Sequence, residues 1–451
     1  MEKNDSTEPL VVKNDQAVRI LRLGATDFAD IRQNGDYYAD KTKFLYEIAK
    51  RSDPFFLARP RRFGKSLLLN TLDCILRGKR ELFEGLWIDQ SNYKWTPYPV
   101  INLNMFSVTD NDLGSMEEKL SGLLEAIAAN AGVEIEKENP VSMLNWLITL
   151  RYAKVKNKKE LIEKNASEQK TDINQTKVAI LIDEYDAPIV SHLKDPDKAD
   201  LFRQYLKRFY ATLKSNLDKV GHIFITGVSR FTQLSIFSGL NFVNDITFDR
   251  AFAAICGFTA EDLEDLLSDR QEQTIERLIM NDCLTPGSDG NDLRKMIRDW
   301  YDGYSWDGNT RVYNPWSVLS CLKKAETDSY WYTTGTPNFL RQVSVEALKD
   351  PDWLNKNKII YKRDTEIDDI KRIPPEVLLL QAGYLTIKEA FRDGSDKRLT
   401  LEVPNLEVKA AMWPLAQAMD LVDDKDTAQK WAKKTLDCLL KLDALGVEEA
   451  F

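Results

Sequence analysis

The run from Arg59 to Ser66, RPRRFGKS, sets a glycine, a lysine and a hydroxyl side by side behind three arginines. Those residue types suit a polyanion. Gly64 frees the backbone, Lys65 brings a long cation, and Ser66 offers a ligand to a hard metal. Gly-Lys-Ser ends the GxxxxGK[ST] pattern, in which backbone N–H groups and a helix N-terminus face phosphates. The first glycine of that pattern would fall at position 59, where this chain has arginine. In this reading Lys65 reaches the β- and γ-phosphates and Ser66 ligates Mg²⁺. The binding loop is Arg59, Pro60, Arg61, Arg62, Phe63, Gly64, Lys65, Ser66 and Leu67. Arg59, Arg61 and Arg62 add positive charge where a triphosphate would lie. Whether they meet nucleotide, another subunit or solvent is open at the level of sequence.

A second group, VAILIDEYD (Val178–Asp186), ends an apolar run on carboxylates. A strand buried on both faces must be apolar, and acid residues at its end are costly unless they bind something. This is a Walker B pattern. Asp183 would hold the metal, and Glu184 would polarise an attacking water. Asp186 either orients its neighbours or caps the turn before Ala187-Pro188. A third group, HIFITGVSRF (His222–Phe231), ends in Thr226, Ser229 and Arg230. Arg230 reads as a sensor, as a charge-stabilising arginine or as one half of a structural ion pair. Lys65, Glu184 and Arg230 are thus the catalytic candidates, and Ser66 and Asp183 the metal ligands.

These groups must be held by strands. PFFLA (Pro54–Ala58) precedes the loop, and SLLLNTLDCILRGK (Ser66–Lys79) follows it as an amphipathic helix stopping near Gly78. VINLNM (Val100–Met105), VAILI and HIFIT read as further buried strands. Helices are expected at Lys41–Lys50 with Asp40 as cap, Met116–Ala131, Val141–Leu150 and Leu201–Lys219. This alternation is that of a parallel α/β sheet, a P-loop NTPase fold flanked by helices, over residues 26–250. VINLNM lies between the two motif strands in sequence. An extra strand between them separates ATPases that use a strand-end glutamate from the GTPase-like branch.

The remainder divides into a flexible lead (1–25), a helical and hairpin region (251–408) and a helical tail (409–451). Residues 151–177 carry eight basic and four acidic residues and read as a solvated helix end plus a mobile polar insert. Thr259-Ala-Glu-Asp262 is a capping-box start, and Asn314-Pro315 and Thr336-Pro337 each place a cap before a first-turn proline. Leu378–Ile387 and Arg398–Val403 are expected as strands of a hairpin closed at Asp393-Gly394-Ser395, within a winged-helix-like unit.

Composition narrows the classes. A chain of 451 residues with 43% hydrophobic and 29% charged residues is globular, with two or three domains. The net charge of −9 argues against a protein built mainly to coat nucleic acid. Five cysteines (74, 256, 283, 321, 438) form no CxxC pair, and His192 and His222 are the only histidines, so zinc ribbons, redox pairs and multi-histidine metal sites are excluded. The polar N-terminus lacks a secretory pattern and no run of 18 apolar residues occurs, which sets the expectation at cytoplasmic, away from membranes.

Taken together the motifs resemble the AAA-ATPase-like family. The residues that carry the resemblance are YYADKT (37–42), RPRRFGKS, LIDEYDAPI (181–189), ITGVSRF (225–231), SIFSGLN (235–241), CGFT (256–259), WYDGYSW (300–306), VYNPWSVL (312–319), QAGYLTI (381–387) and VPNLEV (403–408), in order over residues 26–408. In that family RPRRFGK replaces the usual loop, so the arginine at 59 conforms. The resemblance implies ATP binding and hydrolysis with ATP and Mg²⁺ as cofactors, and gives no substrate. WYDGYSW reads as a turn with rings packed beneath it. Members usually carry a C-terminal PD-(D/E)XK nuclease. Only 43 residues follow Val408 here, against about 100 for a domain, so the nuclease is expected to be absent. Glu407-Val408-Lys409 spells ExK but belongs to VPNLEV. The expected partner is an unknown protein or a second copy of the chain. A nucleotide-binding scaffold without turnover and a DNA-directed module are the alternative readings.

Overall fold

A strand inside a sheet covered on both sides has no polar face, and three runs of this chain meet that condition along their whole length. In a computed structural model that describes residues 18–165, 177–193, 195–230, 243–335, 358–365 and 373–411, every residue of β1 (Pro54–Ala58), β3 (Val178–Asp183) and β4 (Val220–Gly227) is buried. Between them in sequence come α3 (Lys65–Leu76), β2 (Val100–Asn104), α4 (Leu113–Asn130), α5 (Pro140–Asn165), α6 (Ala187–Val190) and α7 (Pro196–Ser215). Before β1 lie α1 (Phe28–Asn34) and α2 (Thr42–Ala49), the latter tied at its start by Asp40, which accepts from the Thr42 N–H at 2.8 Å.

The strands form one parallel sheet in the order β2-β3-β4-β1-β5, where β5 is the dipeptide Asn244–Asp245. Spatial order corrects the reading of VINLNM. It does not stand between the loop strand and the acidic strand. β2 is the outer strand, one of its residues exposed, and β4 is the strand inserted between β1 and β3. Because all are parallel, the carboxyl ends of β1, β4 and β3 open side by side on one edge, where ligands bind in such sheets.

Beyond β5 come α8 (Ala260–Leu267), α9 (Gln271–Met280), α10 (Gly290–Tyr301), α11 (Pro315–Lys324), α12 (Tyr330–Gly335), β6 (Lys358–Tyr361), α13 (Pro375–Ala382), β7 (Thr386–Asp393) and β8 (Asp396–Glu402). The Thr259–Asp262 capping box and the Asn314 cap with Pro315 in the first turn form as expected. β7 and β8 close at Gly394-Ser395, and β6 pairs with β8 to make a three-stranded antiparallel sheet. One expected strand is a helix instead: Leu378–Ala382 lies in α13. Pro375 fixes its first turn, and Gly383 ends it at φ +93. The run Val377–Ala382 is buried on every side, so it has no periodicity to separate helix from strand.

Two apolar cores result. The larger joins the parallel sheet to Tyr304, Trp306, Trp331, α13 and β8; the smaller gathers α8, α10 and α11 around Tyr37 and Tyr313. A strap, residues 18–26, packs on the smaller one through Leu21; Arg19 fixes it by ion pairs to Asp265 (3.0 Å) and Asp269 (2.8 Å). α5 continues to Asn165, into the segment read as a solvated helix end. Residues 1–17, 166–176 of the polar insert, Ser235–Asn241, Thr336-Pro337, Cys438 and the tail beyond Ala411 lie outside the described residues. Among the described residues no helix is long and apolar enough to cross a membrane.

Candidate functional site

The loop leaves β1 at Ala58 and enters α3 at Lys65, with Gly64 at φ +89 as the residue before the helix. Its ring, Phe63, is fully buried between Tyr304 and Trp306, at centroid distances of 4.7 and 5.3 Å. The rings of WYDGYSW therefore support the loop from beneath. Lys65 is buried as well. Its Nζ donates to the Pro60 carbonyl at 3.0 Å, so the loop wraps its own lysine. Burial lowers the Lys65 pKa, opposed by the charges of Glu184 and Asp183.

Arg59 does not face this site. Its N–H donates to Gly227 O at 3.2 Å, and its guanidinium donates to the carbonyls of Ala58, Thr247 and Phe252 at 2.9, 2.8 and 3.2 Å. It lies over the Trp306 ring at 4.1 Å, only 1% exposed, and burial pushes its pKa down to about 10. The expected phosphate ligand is an interior clamp joining β1 to the segment after β5.

Arg61 and Arg62 behave differently. Among the described residues neither forms an ion pair. Arg62, at φ +70, stacks over Trp316 at 4.2 Å; burial and its neighbour Arg61 lower its pKa, and Glu184 opposes them. Trp331 Nε1 holds the Arg61 carbonyl at 3.2 Å. Among the described residues, Arg61 and Arg62 thus carry positive charge without a paired counter-charge.

Across from it stand the acids of β3. Asp183 is buried at the strand end and accepts from the Thr226 hydroxyl and, at 3.1 Å, from the Glu184 N–H. Glu184 sits at φ +50, a left-handed conformation unusual outside glycine and frequent at functional sites. Burial raises its pKa, opposed by Lys65. Asp186 settles its open role by geometry. It accepts from the N–H groups of Val228 (3.3 Å) and Ser229 (2.7 Å) and from the Ser229 hydroxyl, tying the end of β3 to the end of β4. Ser229 is thereby engaged away from the cavity.

Arg230 takes the last of its three readings, one half of a structural ion pair, and not the catalytic one. Its Nε donates to Asp245 at 2.8 Å, its N–H to Gln381 Oε1 at 2.9 Å, and its guanidinium also meets the Thr365 hydroxyl. It joins β4, β5 and the C-terminal region and does not line the cavity. An arginine held by a carboxylate has its charge already matched, which is why it stays buried.

The cavity between loop and acids measures about 420 Å³. Arg61 through Leu67 and Glu184 line one part of it; Asp183 and Pro60 are not among its lining residues. The other part is lined by residues that sequence reasoning gave no role: Arg22, Gly24, Ala25 and Thr26 of the strap, Tyr38, Phe258, Trp316 and Leu319. Their motifs, YYADKT, CGFT and VYNPWSVL, were visible, but nothing in them marks a wall of this cavity. Phe106, just after β2, is exposed at the rim. Among the described residues no group of three or more His, Cys, Asp or Glu could hold a resident metal. Mg²⁺ needs no such cage, since it is commonly bound by one or two protein oxygens together with substrate phosphates, and Ser66 and Asp183 are of that kind. Glu407 of the ExK triplet is fully buried, accepting from Ser317 Oγ and Trp331 N–H at 2.7 Å each.

The relationships to known proteins agree with this geometry. Residues 22–237, from the strap through β4, match the model of the AAA-ATPase-like family, described as "Predicted AAA-ATPase". A protein of Azotobacter chroococcum mcd 1, known as "Uncharacterized protein in vnfD 5'region", is 31% identical over 435 residues, covering 96% of this chain and 76% of the relative. No solved structure matches. The family model spans the loop, the acidic strand and the inserted strand, the relative is matched along nearly the whole of this chain, and this protein belongs to the AAA-ATPase-like family.

Proposed function

We propose that the chain binds ATP with Mg²⁺ in the 420 Å³ cavity and hydrolyses it, acting on a partner protein or on a second copy of itself. The observation that carries this reading is a helix-opening loop whose Lys65, Arg61 and Arg62 lack carboxylate partners among the described residues and which faces Glu184. Bound ATP would supply the γ-phosphorus that water attacks, ADP leaving as the bridging bond to the β-phosphate breaks, and Mg²⁺ would offset the phosphate charge. The protein does the rest by positioning and charge. Lys65 exchanges the Pro60 carbonyl for phosphate oxygens. Ser66 Oγ and Asp183 would hold the metal, and the Thr226 hydroxyl fixes the Asp183 carboxylate. Glu184, whose burial makes it a better base, takes a proton from water on a carboxylate oxygen. Arg61 replaces Arg230 as the cation offered to charge that develops on the phosphate.

Lys65→Ala tests the reading. Loss of a charge-assisted phosphate contact should weaken ATP binding by about 1.5–3 kcal/mol, read by calorimetry. An unchanged affinity removes the loop from the proposal, and wild-type binding without phosphate release assigns the chain to the scaffold class.

A further inference from the structure

The phosphate loop and Glu184 account for one end of the cavity. At the other end, helix α11 meets the strap. Asn314 accepts from the Ser317 N–H at 3.3 Å and Pro315 opens the first turn, and together they set Trp316 at the cavity wall. Gly24 of the strap, at φ +70, lies so near that a Cβ there would sit 3.2 Å from Cζ3 of the indole. Over the ring, at 4.2 Å, lies the Arg62 guanidinium, which has no carboxylate partner among the described residues. The indole is therefore held at its edge by backbone and covered by a planar cation whose own loop faces the phosphate end. Guanidinium groups and nucleobases both stack on indole, so one can replace the other.

We propose that Trp316 is the base-stacking residue of the nucleotide site, and that Arg62 leaves its ring for the phosphates when nucleotide enters. This rests on the nucleotide reading of the loop. The site then selects for a nucleobase over bare polyphosphate. It also gives the bound nucleotide contacts on both sides of the molecule, since the loop rests on the larger core while α11 packs into the smaller one through Val318, Cys321 and Leu322.

Calorimetry with two probes, ATP and inorganic tripolyphosphate, separates this proposal from the reading beneath it. Trp316→Ala should weaken ATP binding about tenfold or more while leaving tripolyphosphate within about twofold of wild type. Trp316→Phe, which keeps a ring, should retain most ATP affinity. Lys65→Ala should lose both probes. Retained tripolyphosphate binding shows that the Trp316 variants are folded at the loop. ATP affinity unchanged in Trp316→Ala, or both probes weakened equally in both Trp316 variants, overturns the base shelf and leaves the phosphate loop standing. Wild type binding neither probe overturns both.

Discussion

Glu184 and Asp183 are neighbours in sequence with separate surroundings, and the roles proposed for them rest on that difference. Asp183 is already engaged by Thr226, whereas Glu184 lies on the cavity wall, with a pKa raised by burial. Glu184→Gln should keep ATP affinity and lower turnover by about 10²–10⁴, the usual contribution of a general base. Asp183→Asn should weaken Mg²⁺-dependent binding and leave metal-free binding in place. Paired binding and phosphate-release assays with and without Mg²⁺ check both; the opposite pattern exchanges the roles. Glu407 shows another consequence of burial. Desolvation raises its pKa to about 8, so it is protonated in the folded chain over a range where the unfolded chain is ionised. Between the unfolded value of about 4.5 and the folded value of about 8 the native state holds the extra proton, and stability falls as pH rises through that window. Glu407→Gln removes the titration. Its melting temperature should match wild type near pH 5 and exceed it at pH 8.5, measured by calorimetric scans. Equal pH dependence in both proteins would show that Glu407 is not the group responsible.

At the scale of elements, legibility follows burial geometry. β1, β3 and β4 could be read because each is an apolar run of strand length that ends on residues with chemistry, and the helices around them carry caps or amphipathic faces. α13 could not, because Val377–Ala382, apolar but for Gln381, is buried on all faces. β5 is two residues long and exists only through its pairing with β1, so no pattern announces it. The role of Arg59 was hidden, and that of Arg230 left open among three readings, for a related reason. One arginine in RPRRFGKS looks like another until Arg59 is seen to bond three carbonyls, and Arg230 meets its Asp245 partner through the fold. The junction of β3 and β4 makes a testable case. A Cβ on Gly227 would lie 2.4 Å from the Tyr185 ring and 2.8 Å from Asp186 Oδ1, both rigidly held. Tyr185 donates to Ser229 O at 3.0 Å, and Asp186 binds the amides beyond Gly227. Gly227→Ala must therefore part the two strand ends. It should destabilise the protein by about 1–3 kcal/mol, the range of overpacked cores, as read from urea midpoints. An unshifted midpoint would mean that Tyr185 can move aside.

At the scale of the whole molecule, the sequence suggested a self-contained ATPase segment, residues 26–250, followed by a separate region. The packing around the loop argues for interdependence. Phe63 is enclosed by Tyr304 and Trp306. Arg59 needs the Phe252 carbonyl and the Trp306 ring. The Arg61 carbonyl is held by Trp331, and the Arg230 backbone by Gln381. Gly383 lies close enough to Pro60 that a Cβ there would sit 2.9 Å from the proline ring. All of these partners lie beyond residue 250, and none of them lines the cavity. Each buried aromatic contributes about 1.5–3 kcal/mol, whereas a domain has about 5–15 kcal/mol in total. Stripping Tyr304, Trp306, Trp331 and Tyr384 from the larger core thus removes an amount comparable to the whole margin. Residues 26–250 expressed alone should lack a cooperative thermal transition and should not bind ATP, while the full chain shows both. Circular dichroism melts and calorimetry on the two proteins make the comparison. A fragment that melts sharply and binds ATP with wild-type affinity would show that the loop holds its shape without that support, and that the C-terminal region contributes only the cavity wall around Trp316.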